Sequence, residues 1–351
     1  MPAATRPNMR PKLISFLLAA LVALLPQARA ERLVDPVKVD SKTEQVINSA
    51  LKYLAANQLP NGAWFGIDNR EKQYPIAITA YTLMAFLAAG NLPGEGPYGD
   101  HVSKGTKYLL DSVDEEGLIG DKNSGQYMYF HGIATIALAE LYGQTRDDSL
   151  RQKLDRLVKV IISSQNGEGG WRYKPYVSDA DISVTVLQVV ALRAAKNGGL
   201  KVPQKTIDDA VGYVRKCYVK SDGGFSYQPD KDSGFARTAA AIYSLQVCGE
   251  YDDPKVKTGS EYLFKKFGKN ERYFTYGNFY AAPAQYMIGG KTWADWYAKI
   301  KDHLLEEAKP LANGKLFWES GHNGSPGPHW TTAVNTMILA MPYHYVPLYQ
   351  R

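Results

Sequence analysis

Three features that define common functional classes are missing from this sequence of 351 residues. No run of Lys and Arg suggests a nucleic-acid surface, because basic and acidic residues are interspersed as on ordinary solvated helix faces. No glycine-rich turn is followed by the Gly-Lys-Ser/Thr of a phosphate-binding loop. Cysteine is scarce, since Cys217 and Cys248 are the only two. The sequence therefore predicts no nucleic-acid partner and no phosphate loop.

One long apolar run is present, close to the start of the chain. Residues 13–25 follow three basic residues and precede the small-x-small sequence Ala-Arg-Ala at 28–30. The run is too short to make a comfortable transmembrane helix. We expect residues 1–30 to be a cleaved signal peptide and Glu31 to begin a secreted or periplasmic protein without a membrane span. A retained membrane anchor is the alternative. Losing the leader lowers the formal net charge from +6 to +2.

A repeated unit organises the rest of the chain. Residues 150–162 place apolar side chains at three- and four-residue spacings between charged ones, which predicts a helix with one solvated face. Residues 184–192 are apolar on every side, which predicts a fully buried helix. A glycine-rich turn at 165–171 joins the two. The unit is therefore predicted to be an antiparallel helix hairpin, amphipathic outside and apolar inside.

Related turns recur along the sequence. Taking Trp64, Leu118, Trp171 and Phe225 as anchors, the steps are about 53 to 54 residues, close to the periods of helical-hairpin repeats. Apolar segments follow these anchors and continue beyond them, at 76–89, 132–141, 182–195, 236–247, 279–288 and 330–341. The spacing predicts about six hairpins, of which the last two copies are divergent.

Two of these turns carry a family resemblance. Gln58 to Trp64 and Gln165 to Trp171 both read Q-x-x-x-G-x-W, which resembles the core of the QW repeat in the terpenoid cyclase and protein prenyltransferase superfamily. The resemblance implies an all-α fold, an α/α toroid or (α/α)6 barrel, in which six inner helices surround a central cavity. We expect residues 31–351 to form one such domain. Fold alone does not imply function.

The two cysteines are predicted to stay unpaired. Cys217 falls near the end of an outer helix and Cys248 near the end of the following inner helix. Antiparallel packing puts these ends roughly 20 Å or more apart, which is beyond disulfide reach. We therefore expect two free, buried thiols.

The Asp179-Ala180-Asp181 sequence is the sharpest candidate for catalysis. It is similar to the D-x-D-D motif of class II terpene cyclases, which implies that Asp181, with Asp179 beside it, protonates an alkene or epoxide. Ile182 stands where that motif has its last Asp. A proton donor needs neighbours that raise its pKa and orient its hydrogen. The alternatives are a helix cap, which Asp forms well, and a contact to a ligand.

Metal chemistry of the prenyltransferase kind is not expected. His329 lies about where the resemblance implies a zinc-binding histidine, but the Asp-x-Cys partner is missing and zinc takes about four ligands. We predict no metal and no cofactor. His329 and His131 are instead expected to be hydrogen-bonded cavity residues with a chance of touching a ligand.

Further ligand-binding candidates fall at the starts of the inner helices. Arg237 is an isolated charge in an apolar segment and should be paired if buried, with Asp232 or Asp181 as the natural partner. Its alternative role is a lone cation awaiting an acidic ligand. The starts of the inner helices surround one end of the central cavity, its mouth. Tyr280 and Trp330 are expected to add aromatic surface there.

These observations leave three functional hypotheses. The first is a toroid that binds a hydrophobic or isoprenoid small molecule, or a partner, in its cavity, with catalysis unproven. The second is a terpene-cyclase-like enzyme with Asp181 as the acid. The third is a toroid polysaccharide lyase acting on a carbohydrate, with Arg237, Asp181 and His329 at the mouth.

Overall fold

The computed structural model describes residues 35–67, 69–268, 271, 273–320 and 325–349. The predicted signal peptide and Glu31 lie outside these residues. The described chain contains twelve α-helices. They are α1 Ser41–Ala56, α2 Pro75–Ala88, α3 Gly99–Asp111, α4 Tyr127–Thr145, α5 Asp148–Ser163, α6 Ile182–Asn197, α7 Gln204–Lys216, α8 Phe235–Val247, α9 Pro254–Lys266, α10 Phe274–Ile288, α11 Gly290–Glu307 and α12 Pro328–Ala340.

Odd-numbered helices are buried on one face and even-numbered helices on all sides, as their patterns of apolar residues predict. In α5, Leu150, Leu154 and Leu157 are buried on one face while the charged residues between them stay at the surface. In α6, every residue from Ile182 to Leu192 is buried. The even helices therefore form an inner layer and the odd helices an outer one.

The six inner helices close into a ring. Each packs against the next in the order α2, α4, α6, α8, α10 and α12, and α12 packs back against α2. The predicted all-α toroid of six hairpins is confirmed. Helix α4 begins at Tyr127 rather than at the predicted Gly132, because its first turn is aromatic and polar and does not continue the apolar pattern.

Hydrogen bonds of the Gln-to-Trp turn tie each hairpin to its neighbour. Trp171 Nε1 donates to the Ile161 carbonyl at the end of α5, at 2.8 Å. Gln165 Nε2 donates to the Gly169 carbonyl of its own turn at 2.8 Å and to the Thr206 carbonyl of α7 at 2.9 Å. One turn thus satisfies carbonyl groups from two outer helices.

Glycine is required in this turn. Gly62 and Gly169 have φ of +90° and +95°, a region that favours glycine. A Cβ atom there would lie 2.4 Å from the Lys104 carbonyl oxygen and 2.3 Å from the Asp209 carbonyl oxygen respectively. Each turn can therefore pack directly against the backbone of the next outer helix.

The structure corrects one repeat anchor and adds another. In the second repeat the fully buried residue is Ile119, whereas the predicted anchor Leu118 is partly exposed. In the last repeat Trp318 is buried, and its Nε1 donates to the Leu304 carbonyl at 2.8 Å, as Trp171 does in its own unit. The divergent sixth copy therefore keeps the tryptophan that holds the turn.

Short elements complete the chain. They are the antiparallel pairs β1 Tyr218–Val219 with β2 Gly224–Phe225 and β3 Lys309–Pro310 with β4 Leu316–Phe317, and the 3-10 turns Arg70–Gln73, Ala312–Gly314, Met341–Tyr343 and Pro347–Tyr349. The last of these turns contacts α4, α6 and α10, at the end of the ring where the inner helices finish. No helix among the described residues has the length and apolar character needed to cross a membrane.

The two cysteines end consecutive helices, as the sequence indicates. Cys217 follows α7 and Cys248 follows α8, and neither is in a disulfide. Cys217 is buried as expected, whereas Cys248 is only partly buried. Burial raises the pKa of each thiol to about 12. Both are therefore protonated structural thiols in the folded protein.

Candidate functional site

A cavity of about 1030 Å³ opens where the inner helices begin. Its wall is rich in phenol groups, and three arginines and one glutamate also line it. The tyrosines are Tyr74, Tyr81, Tyr129, Tyr173, Tyr227, Tyr273 and Tyr276. Trp330, Phe130 and Phe235 add further aromatic surface. Such a wall offers flat apolar faces and hydroxyl groups together.

Arg172 is the centre of the polar network at this wall. Its Nη1 lies 2.8 Å from Asp181 Oδ2 and donates to the Tyr227 hydroxyl at 2.7 Å, while its Nε lies 3.0 Å from Asp179 Oδ2. The guanidinium carbon sits 4.6 Å from the centre of the Tyr173 ring. Arg172 therefore fixes two wall tyrosines, and two aspartates hold it in place.

Asp181 is fully buried and caps α6. Its Oδ1 accepts hydrogen bonds from the backbone N–H groups of Ser183 at 2.8 Å and Val184 at 3.0 Å, and from Ser183 Oγ at 2.5 Å. The carboxylate is not among the groups that line the cavity in the described chain. Of the roles left open for Asp181, this geometry supports the helix cap and gives the proton-donor role no support. Asp179 is half exposed and has Arg172 as its partner.

The phenol groups are linked to this cap. Tyr129 bonds Ser183 Oγ through its hydroxyl at 2.5 Å, and the Tyr276 hydroxyl donates to the Ser183 carbonyl at 3.2 Å. Burial raises the pKa of Tyr129 and of Tyr276 well above the usual range for tyrosine. Both side chains are therefore neutral phenols that can donate hydrogen bonds.

Arg237 lines the cavity, but it lacks the ion pair predicted for it. Asp181 is taken by Arg172, and Arg237 Nη1 donates to the backbone carbonyl of Asp232 at 3.0 Å rather than to its carboxylate. Within the described chain no carboxylate lies at ion-pair distance from Arg237. Trp330 also lines the cavity, where the sequence places it. Contact of either residue with a ligand remains a proposal.

His131 and Tyr280 do not line the cavity in the described structure. His131 is buried against outer helix α5, where its Nε2 is 3.0 Å from the Leu157 carbonyl oxygen, and burial lowers its pKa to about 4. Tyr280 lies behind Tyr276 and donates to the Tyr276 hydroxyl at 3.2 Å. Both side chains face their neighbours in the fold, and this arrangement gives the predicted ligand contacts no support.

His329 is also turned away from the cavity, toward a carboxylate that sequence reasoning missed. Glu71 Oε2 is 2.6 Å from His329 Nδ1 and accepts from the Gly66 N–H at 2.8 Å, while Oε1 accepts from the Trp330 N–H at 3.0 Å. Burial raises the Glu71 pKa, but the His329 contact and the backbone donors outweigh it, and the pKa is lowered overall. Glu71 thus closes the ring by capping α12 from the first repeat.

Arg172, Tyr173 and Tyr227 are further site residues that sequence reasoning missed. A signal for them exists in the repeat itself, since Tyr173 and Tyr227 each stand two residues after an anchor, Trp171 or Phe225. Their hydroxyls are hydrogen-bonded to each other. No group of three or more His, Cys, Asp or Glu residues that could hold a metal occurs in the described chain.

Six hairpins closed around one central cavity define the protein as an α/α toroid. The family model described as "Prenyltransferase alpha-alpha toroid domain" matches residues 3–324, and the chain belongs to this family. A search of curated proteins found no match.

Solved structures with the same fold include enzymes of different chemistry. Cellobiose 2-epimerase from Bacillus thermoamylovorans B4167 superposes with a TM-score of 0.64 at 12% identity, over 86% of this chain and 98% of that one. An α-1,6-mannanase from Salegentibacter sp. HEL1_6 gives 0.62 at 9%, over 87% and 98%. The type II terpene cyclase MstE from Scytonema gives 0.55 at 15%, over 87% and 99%. At these identities the likeness concerns the fold alone.

Proposed function

We propose that this toroid binds a saccharide in its central cavity. The observation that carries the proposal is the cavity wall, which seven tyrosines line together with Arg172. A sugar ring has an apolar C–H face and a rim of hydroxyl groups. Tyrosine is matched to both, because its ring offers a flat apolar surface and its hydroxyl both donates and accepts hydrogen bonds.

The order of the wall supports binding of a ligand with a defined orientation. Tyr173 and Tyr227 are held by Arg172, and Tyr129 is held by Ser183 at the start of α6. Side chains fixed before the ligand arrives lose less conformational entropy on binding. The fold neighbours named as an epimerase of cellobiose and a mannanase agree with a saccharide ligand.

An isoprenoid ligand is the second candidate, and the terpene cyclase neighbour favours it. The cavity wall does not, because the charged groups of Arg70, Arg237 and Glu271 would lose water against a hydrocarbon chain. Asp181 adds to this argument. Its carboxylate is directed at the start of α6 and at Arg172, and Asp181 is not among the lining residues of the described cavity.

A polysaccharide lyase would need a base at the cavity wall. His131 and His329 are both directed elsewhere, and Tyr129 and Tyr276 have raised pKa values that keep them neutral. A neutral phenol can donate a proton but is a poor base at neutral pH. Glu271 is the one carboxylate among the described lining residues, and in the described chain no hydrogen bond orients its side chain as a base. We therefore propose binding rather than β-elimination. Export by the leader at residues 1–30 is part of the same proposal, since it would bring the cavity to extracellular glycans.

Calorimetric titration with cello-, manno- and galacturono-oligosaccharides tests the proposal. We expect one class to bind the wild type, and Tyr173→Ala and Tyr227→Ala to weaken that binding about tenfold or more. Tyr345→Ala is the matched control, because Tyr345 is exposed and lies beyond α12, away from the cavity mouth. No binding by any class, together with a cyclised product from squalene that is lost in Asp181→Asn, would establish the cyclase hypothesis instead.

A further inference from the structure

The arginines on the cavity wall are not equally neutralised. Arg172 has the carboxylates of Asp181 and Asp179 within 2.8 and 3.0 Å. Arg70 and Arg237 also line the cavity, and in the part of the chain that the structure describes neither has a carboxylate at ion-pair distance. Two wall cations are therefore left to solvent or to a ligand.

These two cations lie on opposite sides of the mouth. Arg70 belongs to the 3-10 turn that leads into α2, and Arg237 lies in the first turn of α8. Because the ring runs α2, α4, α6, α8, α10 and α12, helices α2 and α8 face each other across it. A ligand that binds both guanidinium groups must therefore span the mouth.

The remaining charge on the wall is Glu271, the one carboxylate among the lining residues described. It precedes α10, beside Arg237 in the ring order but not across the mouth. Burial raises its pKa, while attraction to Lys266 and Arg237 opposes that rise. Glu271 therefore acts on Arg237, and Arg70 is the wall arginine for which the described chain shows no carboxylate partner.

The guanidinium group selects among anions. Its planar fork of N–H donors matches the two oxygens of a carboxylate, so an exposed arginine in a cavity is suited to bidentate capture of that group. An oligomer of sugar acids carries one carboxylate on each sugar residue, in addition to the ring faces and hydroxyls that tyrosines recognise. Spaced carboxylates along one chain would fit cations on opposite sides of the mouth.

We infer that the ligand is an acidic oligosaccharide, with carboxylates on at least two residues that bind Arg70 and Arg237 on opposite sides of the cavity mouth. The inference rests on the proposed saccharide function. It adds the charge of the ligand and its minimum length, since a ligand with two carboxylates must span the mouth to bind both arginines.

The test compares a tetramer of galacturonic acid with its methyl ester, which keeps the sugar chain and removes the charge. We expect the acid to bind at least tenfold more tightly at 50 mM NaCl and to lose this advantage as salt is raised, because screening weakens exposed charge interactions. Arg70→Gln and Arg237→Gln should each lower affinity for the acid about tenfold, and the double variant further, with a much smaller loss of affinity for the ester. Arg151→Gln on outer helix α5 is the control, because it makes the same charge change at an exposed site away from the cavity.

Several results would overturn the inference. Equal affinity for acid and ester, or tighter binding of a sulfated tetramer, would show that the site does not select carboxylates. Full affinity for the single sugar acid would show that binding does not need both arginines. Equal loss of acid and ester binding in the arginine variants would show that the arginines only support the wall. The saccharide function fails separately, if neither the neutral nor the acidic oligosaccharides bind.

Discussion

Arg172 and Asp181 form an ion pair of 2.8 Å that joins the cavity wall to the start of inner helix α6. Asp181 Oδ1 accepts from the helix backbone, and Asp181 Oδ2 pairs with Arg172. The guanidinium carbon of Arg172 in turn lies 4.6 Å from the centre of the Tyr173 ring, and its Nη1 donates to the Tyr227 hydroxyl. A carboxylate that resembles a catalytic acid in sequence thus acts as the support of a binding wall, and its removal should affect stability and ligand affinity together.

Substitution of Asp181 should separate its cap from its charge. Asp181→Ala loses the cap, at about 1 kcal/mol, and leaves Arg172 with Asp179 as its remaining carboxylate. Breaking a buried pair costs about 3–5 kcal/mol, but Arg172 is 23% exposed, so we expect a total of about 2–4 kcal/mol. Asp181→Asn keeps an acceptor oxygen for the N–H groups and should cost less. Urea unfolding measures both, and equal losses would rule out the cap as the main role.

The fold is predictable from local patterns in this sequence. Residues 150–162 of an outer helix leave one charged face, whereas residues 184–192 of an inner helix leave none. That difference indicates two concentric layers. The turn at Gln165 to Trp171 supplies the spacing of the repeat. These signals need no knowledge of distant contacts.

The site is less predictable because side-chain direction decides it. Tyr127 and His131 stand four residues apart on one face of α4 and meet each other at the α5 side, whereas Tyr129 between them points into the cavity. All three begin the same helix, so composition does not separate them. Glu71 is harder still, since its partner His329 lies at the other end of the chain and meets it only when the ring closes.

Trp318 should be as important for stability as Trp171, although it lies outside the recognisable Gln-to-Trp motif. Both indoles are buried and donate to the last carbonyls of an outer helix. Replacement of either by Ala should cost about 3–5 kcal/mol. Replacement by Phe keeps most of the buried surface and should cost less, chiefly the hydrogen bond, at about 1 kcal/mol. Thermal unfolding is the measurement. An unchanged midpoint for Trp318→Ala would show that Trp318 does not have the stabilising role of Trp171.

Both cysteines should resist alkylation in the folded protein. Burial raises the thiol pKa of Cys217 and of Cys248 to about 12, so the reactive thiolate is scarce at pH 8. Iodoacetamide should label neither quickly under native conditions and both after denaturation without reductant, as counted by mass spectrometry. A denatured protein that takes up no label would mean that the two thiols are oxidised and that the hairpin is not as described.

Glu140 should make the protein less stable as the solution becomes alkaline. This carboxyl group is buried in α4, where Oε2 is 3.4 Å from the Leu348 N–H of the C-terminal 3-10 turn. Burial raises its pKa from 4.5 to about 8, although the hydrogen bond from Leu348 opposes the rise. The folded protein therefore binds more protons than the unfolded chain between these two values.

Stability then falls with rising pH, because the slope of the unfolding free energy follows the protons bound by the unfolded state minus those bound by the folded state. The contribution of Glu140 is fully present below pH 4.5 and is lost by about pH 8. One pKa unit corresponds to about 1.4 kcal/mol, so the loss should reach a few kcal/mol. Glu140→Gln carries no titrating proton. Its unfolding free energy, measured by urea unfolding, should therefore change less between pH 5 and pH 9 than that of the wild type. If the wild type and Glu140→Gln instead show the same pH dependence, the pKa of Glu140 is not raised in the folded state, and its buried carboxylate is stabilised by more than the Leu348 hydrogen bond.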